Sequence, residues 1–492
     1  MEKELIHSTE HEQQRVKREK LIALQNAGLD PFRQVRFNQT AHSADILDNF
    51  DRMQYRTVGI AGRIMSIRDF GKAAFVDVMD LKGRLQVYVT EYNLGYEEFR
   101  MFKKFDVGDI VGINGKVFRT RVGEKSIKVT EVVLLAKSLQ VLPEKFHGLK
   151  DTDMRYRRRY VDLIANPEVK IVFITRTRII KAIRGFLDGR GFLEVDTPVL
   201  QTIAGGTTAR PFKTHHNTLG IDLYLRIALE LPLKRLIVGG FERVYEIGLC
   251  FRNEGMSTKH NPEFMMLELY EAYTDYHGMM ELTESLIKYV AKEAIGKEIL
   301  EYGDVEIDLS KPFEKITMVD AVKKYSGVDF GSILTLDDAR EAAKKHNVEF
   351  LPRHGKGDIL AAFFDKFAEE HLVQPTFLLD YPVEISPLAK RIPENSDYTE
   401  RFELFITGRE FANAFTELND PIDQRSRFMH QEAMRAAGDD EACESDEDFL
   451  MAVEYGMPPT GGMGMGIERL IMLLTNQPSI RDVIFFPTMK PL

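Results

Sequence analysis

Apolar residues recur at two rhythms along this 492-residue chain, and the change of rhythm divides it. The stretch from residue 11 to Gly28 is rich in helix formers and free of proline, which predicts a helix that stops at Gly28, ahead of Asp30-Pro31. From Arg56 the period becomes two. RTVGIAGRIMSI alternates Val58, Ile60, Gly62 and Ile64, and KAAFVDVMD, GRLQVYVT, GDIVGINGKVF and SIKVTEVVLLAKSL follow as further strands. YEEFRMFKKF, between the third and fourth strands, has helical spacing. Five short strands with a helix in that position suit a small Greek-key barrel of the oligonucleotide-binding type. The expected layout is a helical extension over 1–50, the barrel over 51–142 and a large α+β domain over 143–492.

In that last domain a helix begins after Pro167 and closes at Gly189 and Gly191, and FLEVDTPVL reads as a strand ending at Pro198. Strands are expected at 241–254, 264–273, 376–380, 400–406 and 410–418, and helices at 228–238, 276–295, 358–371 and 421–437. The interval near 300–355 reads as a mostly helical insertion between strands.

Composition narrows the class. With 44% hydrophobic and 29% charged residues the chain can bury a sizeable core. No apolar run reaches the roughly 20 residues of a membrane span, and MEKELIHSTEHEQQRVKREK lacks the apolar centre of a secretory signal, so a cytoplasmic protein with no membrane partner is expected. Cys250 and Cys443 form neither a disulfide framework nor a zinc spacing. A net charge of −10 argues against indiscriminate nucleic-acid binding, though not against a local basic surface. Arg155, Arg157, Arg158 and Arg159 form the densest cationic cluster, best read as a solvated face paired with acids.

The candidate chemistry sits in three places. If 241–254 and 264–273 pair in antiparallel fashion, alternation puts Arg252 and Glu254 on one face of the first strand and Phe264, Glu268 and Tyr270 on one face of the second. Such a face asks for a charged ligand, or else closes on itself through an ion pair such as Arg252 with Glu268. PPTGGMGMGIERL joins a glycine-rich extended segment to a helix near Ile467, with Arg469 in the first turn, where an anion or plain solvent would meet it. In RFELFITGREFANAFTELND, a tight turn at Thr407-Gly408 sets Glu410 opposite Phe405 and diagonal to Glu403, a pair suited to magnesium held jointly with phosphate oxygens. Asn413 and Glu417 have the other parity from Glu410, so one site for all of them requires a bulge. The phosphate-binding loop, the dinucleotide fingerprint and the H-E-x-x-H motif are absent from the sequence.

FRNEGMSTKHNPEF resembles the second signature motif of the class II aminoacyl-tRNA synthetases, FLEVDTPVL the first and GMGMGIERL the third, in matching order. LKDTDMRYRRRYVDL, AGGTTARPFKTHHN, LRIALELPLKRLIVGGFERVYEIG, MMLELYEAY and ANAFTELNDP are similar to the bacterial lysyl-tRNA synthetases, from about residue 11 to the C-terminus. Thr207 departs from the pattern, which has alanine there.

The resemblance implies an α+β fold: an N-terminal barrel of the OB type and a class II catalytic domain with an antiparallel sheet flanked by helices. It implies activation of L-lysine by ATP to lysyl-adenylate and transfer to the 3′-terminal adenosine of tRNA(Lys). Arg252 and Arg469 would be catalytic; Arg252, Glu254, His260, Asn261, Phe264, Glu403 and Arg469 would hold ATP, and Glu403 and Glu410 would bind Mg2+. Gly206, Glu230, Arg252, Glu268, Tyr270, Asn413 and Glu417 would hold lysine, the ε-ammonium meeting Glu268, Tyr270 and Glu417. Arg68, Phe75 and Gln86 of the barrel would read the anticodon, although Phe75 also fits a core position. The helix after Pro167 and the strand through Pro198 would form a homodimer interface. The rivals are an aspartate or asparagine synthetase, a protein-lysylating paralogue, and a catalytically silent RNA-binding protein.

Overall fold

The computed structural model describes residues 2–143, 149–436 and 445–491. The chain divides between Lys150 and Asp151 into two compact units, somewhat beyond the boundary expected at 142. Cys443 lies outside the described residues.

In the first unit the helix Glu2–Asn26 ends two residues before Gly28, whose φ of +75° suits a residue without a side chain. Strands Thr57–Asp69, Ala73–Met79, Arg84–Thr90, Ile110–Arg119 and Lys125–Ala136 close into a barrel in the order first, second, third, fifth, fourth. The third and fifth run parallel, and short helices Glu91–Leu94 and Tyr96–Phe102 fill the gap before the fourth strand. Alternation sends Ile60, Ile64, Val76, Val78, Val87, Val89 and Val129 into a dry interior. The opposite parity, including Phe75, Gln86 and Tyr88, stays partly open to solvent.

The second unit is built on a nine-stranded sheet. Its path runs Glu314–Thr317, Thr376–Pro382, Asn395–Phe405, Glu410–Thr416, Thr460–Gly466, Glu263–Ala272, Arg243–Phe251 and Leu193–Glu194, with Arg391–Ile392 pairing on Asn395–Phe405. The middle is antiparallel; the pairs at the two ends are parallel. One face packs on helices Pro167–Asp188, Tyr276–Ile295 and Ile467–Leu474 through Leu267, Leu269, Phe402, Ala412, Met463 and Met465, all buried. The other face is left for the site. Among the described residues, no helix is long and apolar enough to cross a membrane.

Four expectations are corrected. The strand expected at 241–254 stops at Phe251, so Arg252 and Glu254 stand in the loop beyond it and not on its face, although the Arg252 N–H still reaches the Pro262 carbonyl. FLEVDTPVL contributes only Leu193–Glu194 to the main sheet: Thr197 leaves the ladder to donate its N–H and hydroxyl to Glu246, and Pro198 has no N–H to offer. The interval near 300–355 is not mostly helical from its start, since Ile299–Tyr302 and Val305–Asp308 form a hairpin and Glu314–Thr317 joins the sheet before helices Met318–Ser326 and Leu336–Lys345. The arginine cluster is only partly a solvated face. Arg155 pairs with Asp162 at 2.9 Å and Arg157 with Asp153 at 2.6 Å, but Arg159 is fully buried, bonded to Asp162 and to the carbonyls of Arg481 and Phe485.

Candidate active site

The site face of the sheet follows from register. Glu268 stands opposite Gly464, Gly464 opposite Asn413, and Asn413 opposite Glu403, so these positions form one row across four strands. Three interstrand steps make that row about 14 Å long. In the next row Tyr270 stands opposite Gly462 and Gly462 opposite Phe415. Glycine is required in the second of these rows, where a Cβ on Gly462 would land on Glu417 Oε1 and lie 2.5 Å from the Tyr270 ring, whereas one on Gly464 would make only ordinary contacts with Met266 and Glu268. The floor of the site is bare main chain.

The bulge that parity demands is present. A two-residue turn at Thr407 and Gly408, with φ of 56° and 62°, sets Glu410 against Phe405, while Ala412 pairs with Leu404. Phe411 is therefore the surplus residue, and it turns into the core. Glu410 before it and Asn413, Phe415 and Glu417 after it then share the site side, where all four line one cavity.

That cavity measures about 360 Å³ and is lined by every residue to which the sequence assigns a substrate, catalytic or metal role in this domain. At one end, Glu268 Oε1 accepts the Leu229 N–H at 2.9 Å and its Oε2 accepts the Tyr270 hydroxyl at 3.2 Å. No Arg252–Glu268 ion pair forms; Arg252 acts on the carboxylate only through space. Burial first, then Glu230, push Glu268 up to about 7. Burial also raises Glu417 well above the carboxylate range, with Lys234 opposing and Glu230 adding to the shift. Lys234 itself, overlooked in the sequence, is fully buried and ion-paired with both Glu230 and Glu417. Gly206, at φ +91°, brings its backbone against Ala228 and Glu230.

At the other end the Arg252 guanidinium lies over the Phe264 ring, 5.1 Å from its centre. Glu254 and His260 sit at the exposed mouth; Ser257 and His260 Nδ1 are 3.0 Å apart, and burial followed by Arg469 lowers the His260 imidazole. Asn261 is buried and spends its amide on the Glu263 carbonyl at 2.6 Å. Arg469 donates to Glu410, reaching the backbone oxygen at 2.5 Å and the carboxylate at 3.2 Å. Arg401, also overlooked, donates to Glu403 at 2.6 Å and to Asn413 Oδ1 at 3.1 Å, joining the two ends. Burial and then Glu410 raise Glu403 to about 7, the signature of two carboxylates sharing one space. Among the described residues no group of three or more His, Cys, Asp or Glu side chains is arranged to hold a metal alone.

In the barrel, Arg68 stands opposite Phe75, Phe75 opposite Tyr88, and Asp77 opposite Gln86. Phe75 is on the outer face, not in the core: its ring lies 4.8 Å from Tyr88 at 30°, and Tyr88 continues to Phe118 at 6.1 Å. Arg68 is 3.4 Å from Asp77, and Gln86 accepts from Ser126 at 2.9 Å. Tyr88 escaped the sequence reading although it shares Phe75's parity across the hairpin.

Residues 151–490 match the family described as tRNA synthetases class II (D, K and N), and residues 58–135 match the OB-fold nucleic acid binding domain. A protein of Thermoanaerobacter pseudethanolicus named "Lysine--tRNA ligase" is 59% identical over 97% of this chain and 96% of its own length. Proteins of the same name from Moorella thermoacetica and Clostridium perfringens are 60% identical over 97% of both chains and 56% identical over 99% of this chain and 98% of theirs. With matches of that extent laid over a site of this geometry, the chain belongs to the class II tRNA synthetases of the D, K and N group, in the family of the lysine--tRNA ligases.

Proposed function

We propose that the chain is an ATP-dependent lysine--tRNA ligase, which activates L-lysine and passes it to the 3′-terminal adenosine of tRNA(Lys) in the cytoplasm. One observation carries this reading: a single cavity has three carboxylates and a phenol at one end and two arginines at the other. Lysine's ε-ammonium meets Glu268, Tyr270 and Glu417, its α-ammonium meets Glu230 and the backbone at Gly206, and Asn413 assists at its carboxylate. An uncharged or acidic side chain would leave buried carboxylates unpaired, which gives discrimination that an apolar pocket cannot reach.

Arg252 holds the lysine carboxylate and the α-phosphate together, Phe264 stacks on the adenine with Glu254 at its amino group, and His260 and Arg469 take the distal phosphates. The carboxylate oxygen attacks the α-phosphorus in line, the bond to pyrophosphate breaks, and lysyl-adenylate forms without a protein base. The tRNA hydroxyl then displaces AMP. Glu403 and Glu410 fit a Mg2+ ion, because their mutual repulsion in a partly buried space is relieved by a cation, whose remaining ligands phosphate oxygens would supply. When bound, that ion neutralises phosphate charge. Asn261 supports the loop that carries His260 through its bond to Glu263.

Arg68, Phe75 and Gln86 read the anticodon, supported by a partly open ring on the outer barrel face. A homodimer is supported by apolar side chains left open on Pro167–Asp188 and nearby, including Ile171, Leu193 and Leu200. Amino-acid-dependent ATP–pyrophosphate exchange, run with all twenty amino acids, tests the assignment. Exchange driven by lysine is expected; exchange driven by aspartate or asparagine instead, or by none, overturns it.

A further inference from the structure

We propose that Lys234 is a positioning residue of the amino-acid pocket: an internal ammonium that clamps Glu230 and Glu417 from behind and, acting through Glu417, sets the depth at which the far amine of the substrate is met. This rests on the reading of the cavity as a lysine pocket. Lys234 lies one helical turn after Glu230 on the helix Glu230–Val238, the i, i+4 spacing that brings two side chains together. Its Nζ contacts Glu230 Oε1 and Glu417 Oε2. Both acids line the cavity; Lys234 does not, and none of its surface reaches solvent. Around its ammonium stand the rings of Phe415 at 5.4 Å and of Tyr270 and Phe449 at 6.0 Å.

An ammonium sealed from water keeps its charge only through close anions. Burial alone would pull Lys234 down, but Glu230 and Glu417 outweigh burial and hold it above its ordinary value. Glu417 faces Lys234 with Oε2 as an ion pair, neither of its buried oxygens has a hydrogen-bond partner within the protein, and the other oxygen, Oε1, stands clear of the clamp beside the bare backbone of Gly462. A buried orphan acceptor aimed into a cavity is an invitation to a donor.

Charge counting points the same way. Once the ammonium groups of a substrate draw all three acids into their ionised forms, Glu230, Glu268 and Glu417 give the pocket three negative charges, and Lys234 cancels one. The remainder matches the two ammonium groups of a diamino acid, whose own carboxylate goes to Arg252. Without Lys234, one carboxylate would have to take up a proton or swing away.

The test is Lys234→Met, which keeps the length and removes the charge, assayed by lysine-dependent pyrophosphate exchange. The lysine KM is expected to rise at least about tenfold more than the ATP KM, with a weakened preference for lysine over ornithine, because Glu417 loses its anchor. A rise shared equally by both KM values, or a lysine KM unmoved, overturns the proposal and marks Lys234 as a structural clamp. On a Glu417→Gln background the same change should add less than about threefold to the lysine KM, since the residue through which it acts is already disabled. A larger addition refutes the proposal, and if Lys234→Met does not fold, Lys234→Gln, which also removes the charge, is read by the same two comparisons. A native enzyme that activates no lysine at all removes the functional reading itself, whereas a native enzyme that activates lysine beside an indifferent Lys234→Met removes this inference alone.

Discussion

Lysine binding should weaken as pH falls through neutrality, and Glu268 supplies the size of the effect. Its side chain is only 5% exposed, and burial followed by Glu230 raises it from 4.5 to about 7 in the empty pocket. The groups facing it from the surrounding elements are Glu230, Tyr270, Glu417, Arg252 and the Leu229 N–H. An ammonium pairs with the ionised carboxylate, while the substrate amines remain protonated across this range. Binding to the ionised form alone gives an apparent Kd about 11 times its limiting value at pH 6 and about 1.1 times at pH 8, or about 1.4 kcal/mol between them. Glu417, shifted in the same direction, can only steepen the slope. Calorimetric titration of lysine without ATP, in buffers of different ionisation heat, should show release of at least about half a proton at pH 7. Glu268→Gln should remove that share.

The empty protein carries the opposite sign. Because the folded state prefers the protonated carboxyl, the stability it contributes is complete below 4.5 and is lost as pH rises through about 7. The loss is about 3 kcal/mol for this group. Saturating lysine should flatten that decline in a thermal melt. A Kd that is constant from pH 6 to 8 with no proton release would refute the account of the pocket as a dry carboxylate trap.

Two further outcomes are expected. Glu417→Gln removes a charged partner of the ε-ammonium, so the lysine KM should rise by about 2 to 3 kcal/mol, roughly 30- to 150-fold, with the ATP KM within about twofold; equal effects on both would make Glu417 structural. Phe75→Ala should lower tRNA charging by about 1 to 3 kcal/mol while leaving pyrophosphate exchange unchanged, because the ring lies outside the barrel core; loss of both would contradict that placement.

Regular periodicity was the legible part of this fold. The barrel strands, the pairing of Arg243–Phe251 with Glu263–Ala272 and the turn at Thr407-Gly408 all follow from alternation and turn chemistry acting locally. The parity conflict between Glu410 and Glu417 was visible too, but the position of the surplus residue was not, because Phe411 is as apolar as its core neighbours and gives no local mark. Lys234 and Arg401 were hidden for another reason. A lysine on an amphipathic helix and an arginine in a strand look solvent-facing until the fold brings Glu417 to the one and Asn413 to the other, although the Glu230-to-Lys234 spacing offered a hint. FLEVDTPVL misled because a side-chain acceptor, Glu246, captured Thr197 in place of the ladder.

The surplus residue at Phe411 has a consequence for what can change in such a protein. A strand has only two sides, so one extra residue works as a change of sign between the part of the ribbon that precedes it and the part that follows. The phosphate end can keep its carboxylate while the amino-acid end is rewritten from Asn413 onward, as long as the offset survives. Losing that one residue would turn either Glu410 or Glu417 into the oily interior, and no substitution on the walls of the cavity would bring it back.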